Sequence, residues 1–231
     1  MRITFIGGHG KVALLALPLL KSAGHEVTAW IRNPEHARDV EAAGARPLVL
    51  SIEDADVQTM AAAMDGADAV VFSAGAGGGN PERTAAVDRD AAIRSIQAAA
   101  QAGIRRYVMV SYHGAGRVHR VEQGHGFYPY QEAKLAADRV LAASDLDWTI
   151  LGPGTLSLEA SPGGVTPAVL ADGAEHPLTS RELVARVIVE VLSGEAAAAT
   201  VHRTLDFHDG TVPVPEWIRA VAAGELPGAE A

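Results

Sequence analysis

The chain has 231 residues, 48% of them apolar, with a formal net charge of −9. That length and apolar content allow one large domain with a proper core and exclude a disordered polymer. The acidic balance argues against a nucleic-acid partner, and the absence of cysteine excludes disulfides, thiolate catalysis and cysteine metal sites.

Strand-like and helix-like segments alternate along the chain. Ile3, Phe5 and Ile6 mark a first strand, Gly7, Gly8 and Gly10 a tight turn, and a helix starts near Lys11. The apolar run Val12 to Leu20 is interrupted by Pro18 and is too short to cross a bilayer. The N-terminus runs straight into a strand, so no signal peptide is expected and the expected location is the cytoplasm. Glu26 to Ile31 reads as the second strand and Arg46 to Leu50 as the third. A helix is expected over Asp54 to Met64, and a fully apolar strand over Ala67 to Phe72. A long Ala-rich helix is expected from Pro81 to Ala102, then a strand from Arg105 to Val110. A Gly- and His-rich loop spans Ser111 to Gly126, followed by a helix over Tyr130 to Ala143 and a sixth strand over Trp148 to Leu151. This alternation predicts an α/β fold: a doubly wound, mainly parallel sheet with helices on both faces.

After Gly152 the pattern loosens. Gly154 to Pro177 reads as loop, Arg181 to Leu192 as an amphipathic helix, Thr204 to Phe207 as a last strand and Pro215 to Ala223 as a last helix, with a frayed tail from Gly224. The whole chain, 1–231, is expected to be one domain. Its core is 1–152, and roughly 153–223 form a small cap over the carboxyl edge of the sheet, where open α/β sheets bind ligands.

The glycine turn between strand and helix is the arrangement that holds a dinucleotide pyrophosphate. Glycines let the backbone approach the phosphates, and the helix N-terminus presents unpaired N–H groups. The spacing fits G-x-G-x-x-A from Gly8, Gly10 and Ala13, or G-x-x-G-x-x-A from Gly7, Gly10 and Ala13. Arg32, where an NAD-binding chain usually has Asp or Glu, suits the 2′-phosphate of NADP, so NADP(H) is expected over NAD(H). Tyr130 and Lys134 share one helix face, and Ser111 lies just past the fifth strand. A nearby ammonium would lower the phenol's pKa from about 10, Tyr130 would protonate a carbonyl oxygen, and Ser111 would hold that oxygen.

These motifs, in this order, resemble the short-chain dehydrogenase/reductase superfamily, most closely its small atypical, NmrA-like and isoflavone-reductase-like NAD(P)-binding members with a Rossmann-like fold. The resemblance runs from Arg2 to about Leu192. GGHGKVA is similar to the family's phosphate loop, which implies cofactor contacts at Gly7, His9, Gly10, Lys11 and Val12, with the backbone of His9 mattering more than its ring. IRNP resembles the NADP-selecting turn and implies Arg32 and Asn33. DAVVFSAGAG implies Ser73, Ala74 and Gly75 beside the adenine ribose, and AAVDRDAA resembles the helix that follows. RRYVMVS and YPYQEAK imply Ser111, Tyr130 and Lys134 as the catalytic set, with Lys134 also on the nicotinamide ribose. LDWTILGPG implies Pro153 near the nicotinamide.

Two departures stand out. Ser51 and Ile52 occupy the place of the family's usual Asp near the adenine, and Gly152 replaces an Arg, which could widen the pocket or signal a relaxed site. His113, His119 and His125 are evenly spaced in the loop before Tyr130, but no carboxylate motif accompanies them. They are expected to line the substrate side or face solvent, and no metal is expected. The resemblance implies an NADP-dependent reductase of a small carbonyl, quinone or enone-like compound. The alternatives are an NADP(H)-reading redox sensor and an epimerase or isomerase. The expected partner is a small-molecule substrate, with no nucleic acid and no membrane, in a monomer or homodimer. Substrate specificity is expected to lie in Tyr112 to Tyr128 and Thr155 to Pro177.

Overall fold

A computed structural model describes residues 1–77, 80–114, 121–167, 177–225 and 229–230. In chain order the first half contains β1 (Arg2–Ile6), α1 (Lys11–Ser22), β2 (Glu26–Ile31), α2 (Ala37–Ala42), β3 (Arg46–Val49), α3 (Val57–Ala63) and β4 (Ala69–Phe72). Next come α4 (Pro81–Thr84), a π-helical segment (Ala85–Ala91), α5 (Ala92–Gln101), β5 (Arg106–Val110), α6 (Tyr128–Ala142) and β6 (Asp147–Pro153). The remainder holds β7 (Thr155–Ser157), β8 (Gly164–Pro167), β9 (Leu178–Ser180), α7 (Arg181–Ser193), β10 (Arg203–Gly210), α8 (Val214–Ala223) and β11 (Ala229–Glu230).

Seven strands run parallel in the order β3-β2-β1-β4-β5-β6-β10. The chain winds outward from β1 on one side, then crosses over to β4 and winds outward on the other. The crevice beyond the carboxyl ends of β1 and β4 is therefore the switch point where such sheets take ligands. Strand alternation divides the core in two. Ile3, Phe5, Ala69, Val71, Val108 and Val110 face one layer, which holds α1, α7 and α8. Ile6, Val70, Phe72, Tyr107 and Met109 face the other, which holds α3, α5 and α6. The helices bury matching stripes: Ala13, Ala16, Leu17 and Leu20 on α1, and Leu183, Val184, Val187, Ile188 and Val191 on α7. Each fully buried large apolar side chain contributes about 1.5–3 kcal/mol. No helix among the described residues is long and apolar enough to cross a membrane.

Three expectations from sequence are corrected. The long helix from Pro81 is helical throughout but widens to a π turn at Ala85–Ala91, which holds the buried Asp88. The stretch 154–177 contains strands: β7 pairs in parallel with β9, and β8 pairs antiparallel with β10. Its glycines suggested loop, yet they permit close backbone approach. A Cβ on Gly164 would lie 2.4 Å from the Val212 carbonyl oxygen, and one on Gly210 2.1 Å from Thr166 Oγ1. The tail is not wholly frayed, since Ala229–Glu230 pairs with β10, which itself extends three residues past Phe207 to Gly210.

Candidate functional site

The turn from β1 into α1 is built for close approach. Gly7 has φ +89°, and a Cβ there would lie 2.7 Å from the Ala74 nitrogen at the end of β4. A side chain on Gly8 would strike the Ala29 Cβ at 2.6 Å. Gly10 N donates to Gly7 O at 2.8 Å, which closes the turn, and Gly10 then leads into α1 with no side-chain cap. The first-turn N–H groups of α1 thus stay available to an anion from outside, and Gly10, Lys11 and Val12 line a cavity. These residues fit a dinucleotide diphosphate, because the glycines let the turn pack close against Ala29 and Ala74 and the uncapped helix start beside the cavity offers N–H donors to an anion.

A cavity of about 320 Å³ opens beside this turn. The structure brings Gly7, His9, Gly10, Arg32, Asn33 and Ile52 to it, together with Ser73, Ala74 and Gly75. Ser51 is turned to other work and donates to Asp54 Oδ2 at 2.6 Å. The His9 ring is engaged as well as its backbone: it stacks on His36 with centroids 3.6 Å apart and shares a 2.8 Å hydrogen bond with Asp39. Arg32 Nη1 donates to Glu53 Oε1 at 2.7 Å, and Arg83 Nε approaches the same oxygen at 3.4 Å. Sequence reading missed Glu53 and Arg83. The signal for Glu53 was an acidic residue displaced by two positions from the site where Ser51 stands.

A second cavity, about 1030 Å³, runs from Gly10, Lys11 and Val12 to Ser111, Tyr130 and Lys134. Ser111 is the first residue past β5, and the opening turns of α6 carry Tyr130 and Lys134. Ser111 Oγ donates to Asp138 Oδ2 at 2.6 Å, and both residues are buried. Lys134 is 1% exposed; its Nζ donates to the Val110 carbonyl at 2.8 Å and lies 5.8 Å from the Phe72 ring centre. Two buried carboxylates flank this ammonium electrostatically. Asp88 accepts from Ala76 N at 3.0 Å; burial raises its pKa, against the pull of Lys134, the Ala76 bond and Arg83. Burial pushes Asp138 up to about 6, opposed by Lys134 and by the Ser111 hydrogen bond.

The expectation that Lys134 lowers the Tyr130 pKa is reversed. Burial first, then the charges of Asp88 and Asp138, then Tyr112 push the phenol upward. Tyr130 is therefore a protonated donor at neutral pH, and the Lys134 charge is spent balancing the two carboxylates. The rings of Tyr112, Phe127 and Tyr130 pack around one another at 5.2 to 5.7 Å. Pro153 lines neither cavity; it is buried at the end of β6, where its carbonyl accepts from His113 N at 2.8 Å. Gly152 lies against the Tyr112 carbonyl and Asp206. Asp206 of β10 fills the space beside it, and a Cβ there would lie 1.9 Å from Asp206 Oδ1. His113 is buried and His125 exposed, and His119 lies outside the described residues. Parts of the expected specificity segments, 115–120 and 168–176, also lie outside them.

Asp138 gives a testable pH dependence. Its folded pKa stands above that of an unfolded chain, so it favours the folded state below about pH 4, and that contribution is lost as pH rises through about 6. Compared with Asp138→Asn, the wild type is expected to lose about 2 kcal/mol between pH 4 and pH 7. Denaturant unfolding of both proteins at several pH values measures the difference; a difference that stays flat contradicts it.

A family model described as NAD(P)H-binding matches residues 7–195. The chain is 34% identical over 222 residues to Bacillus subtilis YhfK, named an uncharacterized sugar epimerase, covering 95% of this chain and 99% of that one. It is 37% identical over 229 residues to a UPF0659 protein of Schizosaccharomyces pombe, covering 90% of each. A solved structure from Bacillus halodurans, described as a candidate NAD-dependent epimerase/dehydratase, matches with a TM-score of 0.85 at 33% identity, covering 95% of this chain and 99% of that one.

Proposed function

The chain belongs to the NAD(P)H-binding family, and from that premise we propose that it is an NADP(H)-dependent oxidoreductase acting on a small carbonyl, quinone or enone-like compound, with Tyr130 as the proton donor. The observation that carries this reading is the continuity of the larger cavity, which joins the phosphate turn to Ser111, Tyr130 and Lys134. When bound, the dinucleotide supplies a hydride. The residues supply the rest. Tyr130 holds its proton at neutral pH and delivers it to the substrate oxygen, and Ser111 holds that oxygen by turning onto it the hydroxyl proton that points to Asp138 in this structure. Lys134 neutralises Asp88 and Asp138 and is the residue assigned to the nicotinamide ribose. Gly7, His9, Gly10, Lys11 and Val12 seat the diphosphate, and Ser73, Ala74, Gly75 and Ile52 line the adenosine end. We assign the chain to a single domain, 1–231, acting in the cytoplasm.

For cofactor choice, Arg32 and Arg83 present two guanidinium groups around Glu53, and a 2′-phosphate would take Glu53's place between them. Arg32→Ala is expected to weaken NADPH binding by about 10-fold or more, the worth of one charge-assisted hydrogen bond, and to leave NADH binding unchanged. Fluorescence titration with both cofactors checks this, and an equal loss for both would sink the selectivity reading.

The name of the Bacillus subtilis relative favours a second reading, epimerisation with the dinucleotide retained. Gel filtration separates the two: an epimerase carries bound dinucleotide through the column, whereas the proposed reductase exchanges it freely.

A further inference from the structure

Building on the reading of the larger cavity as the hydride-transfer site, we infer that the substrate carries a carboxylate and that Arg181 is its seat. Of the four charged groups lining that cavity, two are bonded within the fold and a third stands where the proposed diphosphate would engage it. Lys134 is bonded to Val110 O and balances two carboxylates; Asp88 is bonded to Ala76 N; Lys11 stands at the phosphate end, beside the start of α1. Arg181 is left over. It opens α7 and lines the cavity, and its one hydrogen bond among the described residues is from Nη1 to the Leu156 carbonyl at 3.2 Å. No carboxylate among the described residues pairs with it. A cation in the first turn of a helix also opposes the helix dipole. Glu182 supplies an acid to the same turn but pairs with Arg186, so Arg181 keeps no carboxylate of its own among the described residues, which marks it for a ligand.

The bond to Leu156 does two things. It fixes the guanidinium against β7, at the cavity wall, and it leaves the remaining N–H groups of the fork undirected. A fork with free parallel donors matches a planar carboxylate in bidentate fashion. The apolar surface for the rest of the molecule comes from Leu156, Phe127, Pro129 and the Tyr130 ring. The inferred substrate is thus an apolar, preferably aromatic, carbonyl compound bearing one carboxylate.

The test compares 4-carboxybenzaldehyde with benzaldehyde on the NADP-loaded protein, by calorimetric binding and by NADPH oxidation, in wild type, Arg181→Gln and Arg181→Lys. The carboxylate is expected to improve binding by about 10- to 100-fold in wild type, an advantage lost in Arg181→Gln and partly restored in Arg181→Lys. In turnover the loss falls on KM, with kcat and NADPH affinity held. An advantage that survives in Arg181→Gln overturns the inference, as does the absence of any advantage or of measurable carboxylate binding in wild type. Arg181-dependent binding without NADPH oxidation upholds the carboxylate seat and instead counts against the reductase reading.

Discussion

Tyr130→Phe is expected to lower NADPH-dependent turnover by about 10²–10⁴-fold and to leave NADPH affinity within a few-fold of wild type, the range general acid catalysis supplies. The reasoning rests on what surrounds the hydroxyl. Burial and the charges of Asp88 and Asp138 all favour the neutral phenol, so the proton is present at working pH and passes only to a stronger base such as a developing alkoxide. Phenylalanine keeps the ring and its contacts with Tyr112 and Phe127, so the change removes the proton and little else. The raised pKa has a further consequence. A raised pKa makes the phenol a weaker acid and its phenolate a stronger but scarcer base, so oxidation, which needs that phenolate, should be slow around neutral pH and speed up as pH rises. Steady-state rates in both directions, for wild type and variant, check both statements. A variant that keeps full turnover would remove Tyr130 from the chemistry.

The second large effect is on stability. Lys134→Met is expected to cost about 3–5 kcal/mol, the usual penalty for stranding buried charge by removing its partner. Methionine fills similar space, but its thioether leaves Asp88 and Asp138 without the ammonium that holds their pKa values down. Both carboxylates would then rise further above their unfolded values. The damage should therefore be least at acid pH, where they are protonated, and grow as pH rises. Adding Asp138→Asn to Lys134→Met should recover part of the loss, because removing both partners costs less than removing one. Denaturant unfolding at pH 5 and pH 8 measures this. A single variant as stable as wild type at both pH values would mean that Lys134 does not balance the carboxylates.

The parallel sheet and the phosphate turn were legible in the sequence because their signals are local. Fully apolar β4, the amphipathic stripes of α1 and α7, and glycines at a strand-to-helix turn each follow from short-range rules. The short strands β7, β8 and β9 were hidden because they form only through pairing with distant segments, and their glycines serve crossings rather than turns. In the site, the residue types were visible but their partners were not. Asp138 follows Lys134 by one helical turn on the same face, a signal in the sequence, yet its bond to Ser111 needs α6 packed against the end of β5. The sign of the Tyr130 shift likewise came from its burial first and then from Asp88, which the π turn delivers from another helix. Gly152 looked like a missing arginine until Asp206 on β10 was seen to fill the place beside it.

The most direct test of the central claim is transfer of label from NADPH deuterated at the reactive nicotinamide carbon, with 4-carboxybenzaldehyde and a panel of ketones and quinones, read by mass spectrometry of product and cofactor together. The account predicts one deuterium in each molecule of product, one oxidised cofactor released per turnover, and loss of both in Tyr130→Phe. Label that stays on the cofactor while the wild-type protein binds NADPH tightly would contradict it.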